Sequence, residues 1–167
     1  QNNISDASDV FEINDDYTFN NETDLKSGIL IDKHNFTING NNHVLDGNGQ
    51  SRIFNITGNN ITINNLVFIN GNYTRGAAIY TKGQITLNNV TFANNIAETY
   101  GGAVDSRNGI VNCNNSRFID NYAESGSALF ANNVALNIQN TFITSSIPNK
   151  RGQVYVRASN VAVDNLD

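Results

Sequence analysis

Apolar and polar residues alternate along this chain in short bursts, and the bursts recur. Residues 61–80 read ITINNLVFINGNYTRGAAIY. The same text returns in degraded form as ITLNNVTFANNIAETYGGAVD over 85–105, IVNCNNSRFIDNYAESGSALF over 110–130 and LNIQNTFITSSIPNKRGQVY over 136–155. Period-two alternation marks strands with one buried and one exposed side, and the intervening Asn and Gly clusters mark turns. Phenylalanines at Phe68, Phe92, Phe118 and Phe142, and glycines at Gly76, Gly101, Gly126 and Gly152, both advance by about 25 residues, a step in the range of stacked repeats. Each unit holds three short strands, at 61–63, 66–68 and 77–80 in one unit and at 85–87, 90–92 and 102–105 in the next. Helical spacing is absent from every longer stretch.

Three strands per unit without helices predict an all-β fold, a right-handed parallel β-helix (solenoid) of about five coils. Each strand pairs with its equivalent one coil away at ~4.8 Å. A single coil cannot bury its own apolar face, so stability comes from stacking neighbours. The solenoid is expected over residues 29–167. Residues 1–28 depart from the repeat, with Val10, Ile13, Tyr17 and Phe19 as apolar anchors among acidic residues, and are expected to cap the first open edge. At the other end NVAVDNL over 160–166 repeats NITINNL over 60–66, and the sequence stops at Asp167 in mid-coil. That arrangement predicts a piece of a longer protein, or an edge offered to another subunit.

Composition refines this picture. The polarity comes from asparagine, 33 of 167 residues, rather than from charge, at 15%. Asn65, Asn89, Asn115 and Asn140 fall between the first two strands of their coils, where a left-handed residue turns the corner. Stacked amides there are expected to hydrogen-bond as ladders. A net charge of -5 with scattered basic residues argues against a nucleic-acid partner. The one cysteine, Cys113, excludes a disulfide framework and aligns with the inward Ile63 and Leu87, as a buried inert thiol would. No run approaches the ~20 apolar residues of a membrane helix, so this segment is not expected to enter a bilayer.

Two short patterns carry a family resemblance. Phe92-Ala93-Asn94-Asn95, Phe118-Ile119-Asp120-Asn121 and Gly101-Gly102-Ala103-Val104 resemble repeats of chlamydial polymorphic membrane proteins. The stretch from Gly28 to Tyr80 is similar to the start of adhesin-like surface proteins of methanogenic archaea. Departures occur at Gly71 and Ser145, where the motif asparagine is missing, and at Gly152-Gln153, where the paired glycine is lost. The resemblance implies a pectate-lyase-like β-helix in a secreted or cell-wall-associated protein that mediates cell adhesion. On that reading the module is non-enzymatic and binds a glycan or protein of another cell. A polysaccharide-active lyase or hydrolase and a passive stalk are the alternatives.

Catalysis on this fold would need carboxylates gathered on one face, with or without Ca²⁺. Asp105 and Arg107 share an outward face, with Asp120 on a neighbouring loop, and form an ion pair on the plainer reading. Asp46-Gly47-Asn48-Gly49 has a faint calcium-loop form but lacks further ligands, and His34 and His43 lack the companions of a zinc site, so no cofactor is expected. Carbohydrate binding has better support. If Ile79, Val104, Leu129 and Val154 point inward, their successors Tyr80, Asp105, Phe130 and Tyr155 form an outward column, with Phe54 one coil earlier. Tyr73, Tyr100 and Tyr122 lie in the preceding loops and are expected to form its rim. Aromatic faces flanked by polar groups suit sugar rings, while the alternative is that loops cover these aromatics. Sequons occur at Asn3, Asn21, Asn35, Asn55, Asn60, Asn72, Asn89 and Asn114, and Asn72, in a loop, is the expected glycan acceptor.

Overall fold

The structure is a computed structural model that describes residues 7–21, 25–148, 150–157 and 159–166. Its parallel strands stack as a right-handed β-solenoid of about six turns with three faces. The first face holds Val10–Glu12, Phe36–Asn39, Ile61–Asn64, Ile85–Asn88, residues 111–114, residues 136–139 and Asn160–Leu166. The second holds Tyr17–Thr18, Val44–Asp46, Val67–Ile69, Thr91–Ala93, Arg117–Ile119 and residues 142–144. The third holds Ile29–Ile31, Phe54–Ile56, Ile79–Thr81, residues 104–106, residues 129–131 and Val154–Arg157. Among the described residues no helix is long and apolar enough to cross a membrane. The Asn3 sequon and Asp167 lie outside the described residues.

Alternation places every second residue inside. Ile38, Ile63, Leu87, Cys113 and Ile138 form one buried column, and Phe68, Phe92 and Phe118 another. The three rings stack face to face, with centroids 5.1 and 4.8 Å apart and planes within 16°. Each buried phenylalanine contributes about 1.5–3 kcal/mol relative to exposure. Cys113 is fully enclosed, and burial pushes its thiol up to about 11.

Corners explain the asparagine. Fifteen asparagines and Asp120 have positive φ, and they serve all three corners. Asn65, Asn89, Asn115, Asn140 and Asn165 turn the first face into the second. Rungs join Asn65 to Asn89 at 2.8 Å and Asn140 to Asn165 at 2.9 Å. The longer ladder stands one position earlier, at the ends of the first-face strands, where Asn39, Asn64, Asn88 and Asn114 are linked at 2.9–3.0 Å. Glu12 ends that ladder by accepting from Asn39 and Asn41, which hold its carboxyl below the usual range.

Four expectations are corrected in detail. The coil count rises from five to about six because Val10–Glu12 and Tyr17–Thr18 pair in register at the N-terminal end of two faces. Three separate strands per coil hold for the earlier turns, but Val104–Asn114 runs across the third and first faces and Leu129–Thr144 across all three. Here adjacent corners have equal length, so the ladder continues past Asn108 and Asn133. Phe142 leaves the phenylalanine column. Its place beside Phe118 is taken by Ile143, while Phe142 pairs with Arg117, stays 38% exposed and lies 5.3 Å from that guanidinium. Phe54 is likewise inward rather than outward. It pairs with Ile79, is fully buried and meets Phe68 edge-on at 5.2 Å.

Between the second and third faces the chain loops outward. Asn72–Arg75 pairs in parallel with Ile96–Tyr100, which is bridged in turn to Tyr122 and Ser125. The loops are fastened by two buried amides. Asn95 donates to Phe68 O and to Asn121 Oδ1, and its own Oδ1 accepts from Gly71 N–H. Asn121 donates to Phe92 O. The asparagine of the Phe-x-x-Asn pattern is therefore a structural fastener. Gly71 departs from that pattern because a Cβ there would meet Ala77 O at 2.4 Å and Asn95 Oδ1 at 2.8 Å.

Candidate functional site

The outward column of the third face is Leu30, Asn55, Tyr80, Asp105, Phe130 and Tyr155, each in register with the next. Asn55 holds the place expected for Phe54. Tyr80, Asp105, Phe130 and Tyr155 all face away from the coil interior, since Ile79, Val104 and Leu129 beside them are in the core. They are not equally open. Tyr80 and Tyr155 are half-buried, whereas Asp105 and Phe130 are buried. The cover comes from a loop and a guanidinium. Tyr100 packs on Phe130 with centroids 4.5 Å apart, Tyr155 stacks on it at 5.5 Å and 3°, and Arg107 lies 5.1 Å from its ring.

Asp105 is held by Arg107 in a two-pronged contact, Nε to Oδ1 at 3.0 Å and Nη2 to Oδ2 at 3.1 Å. Such paired charge-assisted bonds fix both side chains. Burial raises the Asp105 carboxyl above the ordinary carboxylate range, while Arg107, Arg75 and Arg52 pull it back down.

Sequence reasoning missed three cations here. Arg52 lies in front of Tyr73 at 4.1 Å and of Tyr80 at 5.1 Å. It is buried and donates to the carbonyls of Gly76, Ser27 and Arg75, and burial lowers its pKa. Arg75 and Lys82 lie 5.7 and 5.9 Å from the Tyr80 ring. Lys82 was detectable, since it stands two residues after Tyr80 as Arg107 stands two after Asp105. The positions of Arg52 and Arg75 depend on the outward loops and left no periodic signal.

The structure thus brings Tyr73, Tyr80, Tyr100, Asp105, Arg107, Phe130 and Tyr155 together on one face. Tyr122 sits apart, bridged to Ile96 on the loop ridge. Asp120 is also elsewhere, accepting from the Ser146 backbone and hydroxyl. The remaining candidate groups have local partners. Asp46 accepts from Asn48 N–H and Asn70, His34 accepts from Asn59 N–H, and His43 meets Asp16 at 3.0 Å. Among the described residues no three His, Cys, Asp or Glu side chains gather at one point.

Chemically, this face offers rings that serve as beds for cations, of which Arg52 is buried, Arg107 is tied to Asp105, Arg75 is half-buried and Lys82 is exposed. Cation–ring contacts of this kind are worth about 0.5–1 kcal/mol each where exposed and more where desolvated. No protein-family model, curated protein or solved structure matches the chain.

Proposed function

We propose that this chain is a non-enzymatic adhesin module of a secreted or cell-wall-associated surface protein, and that its third face binds a glycan or protein of another cell. One observation carries the reading. Aromatic and cationic side chains concentrate on the third face, whereas the first face presents mainly Thr and Asn outward. Large rings and arginine are the residue types that dominate binding surfaces. A polysaccharide-cleaving reading has less support, because Asp105 is enclosed and tied to Arg107 while Asp120 is bonded to Ser146.

The proposed glycan acceptor on the module itself is Asn72, which is exposed on the outward loop. Asn60, Asn89 and Asn114 instead spend an Nδ2 hydrogen on ladder rungs that a sugar linkage would disturb.

A glycan-array screen of the purified chain tests the function, with the Tyr80→Ala/Tyr155→Ala double variant alongside and its circular dichroism checked. Saturable binding lost in a folded double variant is the expected result. Binding indifferent to both changes would move the site off this face, and no binding would remove the glycan reading.

A further inference from the structure

The acidic chain carries a local reversal of charge. Ten basic residues are spread over the sequence, yet Arg52, Arg75, Lys82, Arg107 and Arg157 collect on or beside the third face. Asp105, among them, is matched by Arg107. Arg75, Lys82 and Arg157 form no ion pair among the described residues.

The cations are also ordered. Arg107, Asn132 and Arg157 occupy one outward position in three successive coils, and Lys82 holds the same position one coil before Arg107, following the Thr81–Ser106 pair. At ~4.8 Å per coil, Lys82 and Arg107 are about 5 Å apart along the axis and Arg107 and Arg157 about 10 Å. Lys82 and Arg157 are exposed, and Arg75 flanks the row beside Tyr80. The Tyr80 ring lies 5.1 Å from the guanidinium of Arg52, 5.7 Å from that of Arg75 and 5.9 Å from the Lys82 ammonium.

We infer that the ligand of this face is an anionic glycan, a polymer bearing carboxylate or sulfate groups, laid along the solenoid axis over Lys82, Arg107 and Arg157 with Arg75 at its flank. This inference rests on the third face being the binding surface. The spacing favours a sparsely charged polymer. Duplex DNA carries one charge per ~1.7 Å, several times denser than this row of cations, and a chain of net charge -5 repels so dense a polyanion. An acidic sugar chain with one charge per ring or per two rings suits steps of about 5 and 10 Å. The half-buried rings of Tyr80 and Tyr155, in the column beside the cations, then meet the sugar's C–H surface.

The test measures binding of the whole 167-residue chain to immobilised polygalacturonate, dextran sulfate, neutral dextran and duplex DNA at two salt concentrations. Three released counterions, one for each of the unpaired Arg75, Lys82 and Arg157, at roughly 0.7 each give a log–log salt slope near 2, so affinity for the acidic glycan should fall about 20-fold between about 50 and about 200 mM salt. Lys82→Gln/Arg157→Gln removes two of the three contacts and should weaken binding at least about tenfold and cut the slope to roughly 0.7. Both residues are exposed, so the variant retains its fold, and Arg107 is left in place because it holds Asp105. Preference for polygalacturonate or for dextran sulfate identifies the charged group as carboxylate or sulfate. Dextran bound as tightly as either, or a double variant with unchanged affinity and slope, would overturn the inference. If Tyr80→Ala/Tyr155→Ala still abolished that binding, the third face would keep its role. Tightest binding to DNA would overturn the inference in favour of a nucleic acid. Failure of all four probes would overturn it too, and the array screen would then decide the binding function separately.

Discussion

Replacing Asn95 with alanine tests whether buried amides hold the outward loops on the solenoid. Asn95 is fully buried, and its side chain makes three hydrogen bonds, to Gly71 N–H at 2.9 Å, Phe68 O at 3.1 Å and Asn121 Oδ1 at 2.9 Å. Alanine leaves the buried Gly71 N–H without its acceptor, which costs about 1–3 kcal/mol, and removes two further bonds of about 1 kcal/mol each. Asn121 Oδ1 keeps the Asn95 backbone N–H, which limits the loss on that side. The total is about 3–5 kcal/mol. Asn137 provides the control, because it makes a comparable rung to Asn112 at 2.8 Å but is exposed, where water replaces the partner. Asn137→Ala should cost about 0.5–1 kcal/mol. Thermal and urea unfolding followed by far-UV circular dichroism would read the difference. Asn95→Ala should lower Tm by roughly 6–20 °C at 2–4 °C per kcal/mol. A loss within about 1 kcal/mol of the Asn137→Ala value would refute the argument, since exposed and buried rungs would then be equivalent.

The buried ion pair predicts a pH-dependent defect. Arg107→Ala strands the Asp105 carboxylate and should cost about 3 kcal/mol at neutral pH. Burial already holds the Asp105 pKa above its unfolded value, and loss of Arg107 raises it further. The folded state then binds more protons than the unfolded one, so stability falls as pH rises through the window from the ordinary aspartate value of 3.8 to the raised one, and is recovered on acidification. Urea titrations across pH should show this recovery in Arg107→Ala and not in Asp105→Asn/Arg107→Ala. A pH-independent defect would mean that lost packing, not the stranded charge, is responsible. Cys113, with its thiol pushed up to about 11 and no exposed surface, should resist iodoacetamide at pH 8 in the folded protein and react on unfolding. Equal rates with and without urea, followed by mass spectrometry, would show that the core opens readily.

The inside of the solenoid was legible because alternation and coil length are both local. Counting five residues from the last inward residue of the first face lands on Phe68 from Ile63, Phe92 from Leu87 and Phe118 from Cys113, and each pairs with the next as a buried ring. The same count from Ile138 lands on Ile143, and the structure puts Ile143 beside Phe118. Residue type alone points to Phe142 instead, one position short of that spacing. The Phe54 error has the same origin, because a 25-residue step back from Tyr80 reaches Asn55. Side-chain period is two, so a slip of one position exchanges core for surface.

The outside was less legible for a different reason. Alternation states that Phe130 points away from the core, and it does, yet Phe130 is only 3% exposed. What covers it is Tyr100, reached through an outward loop of the preceding coil, together with Arg107 from the neighbouring strand. The loop's path is set by buried amides at Asn95 and Asn121 whose Phe-x-x-Asn spacing carries no sign of burial. Exposure on a solenoid face is thus decided by two elements whose relation is not periodic. An aromatic column found by periodicity alone can be an open platform or a bed beneath arginines. Here Arg52, Arg75 and Lys82 lie around Tyr80, and Arg107 lies near Phe130, so a face read as aromatic is lined by cations as well.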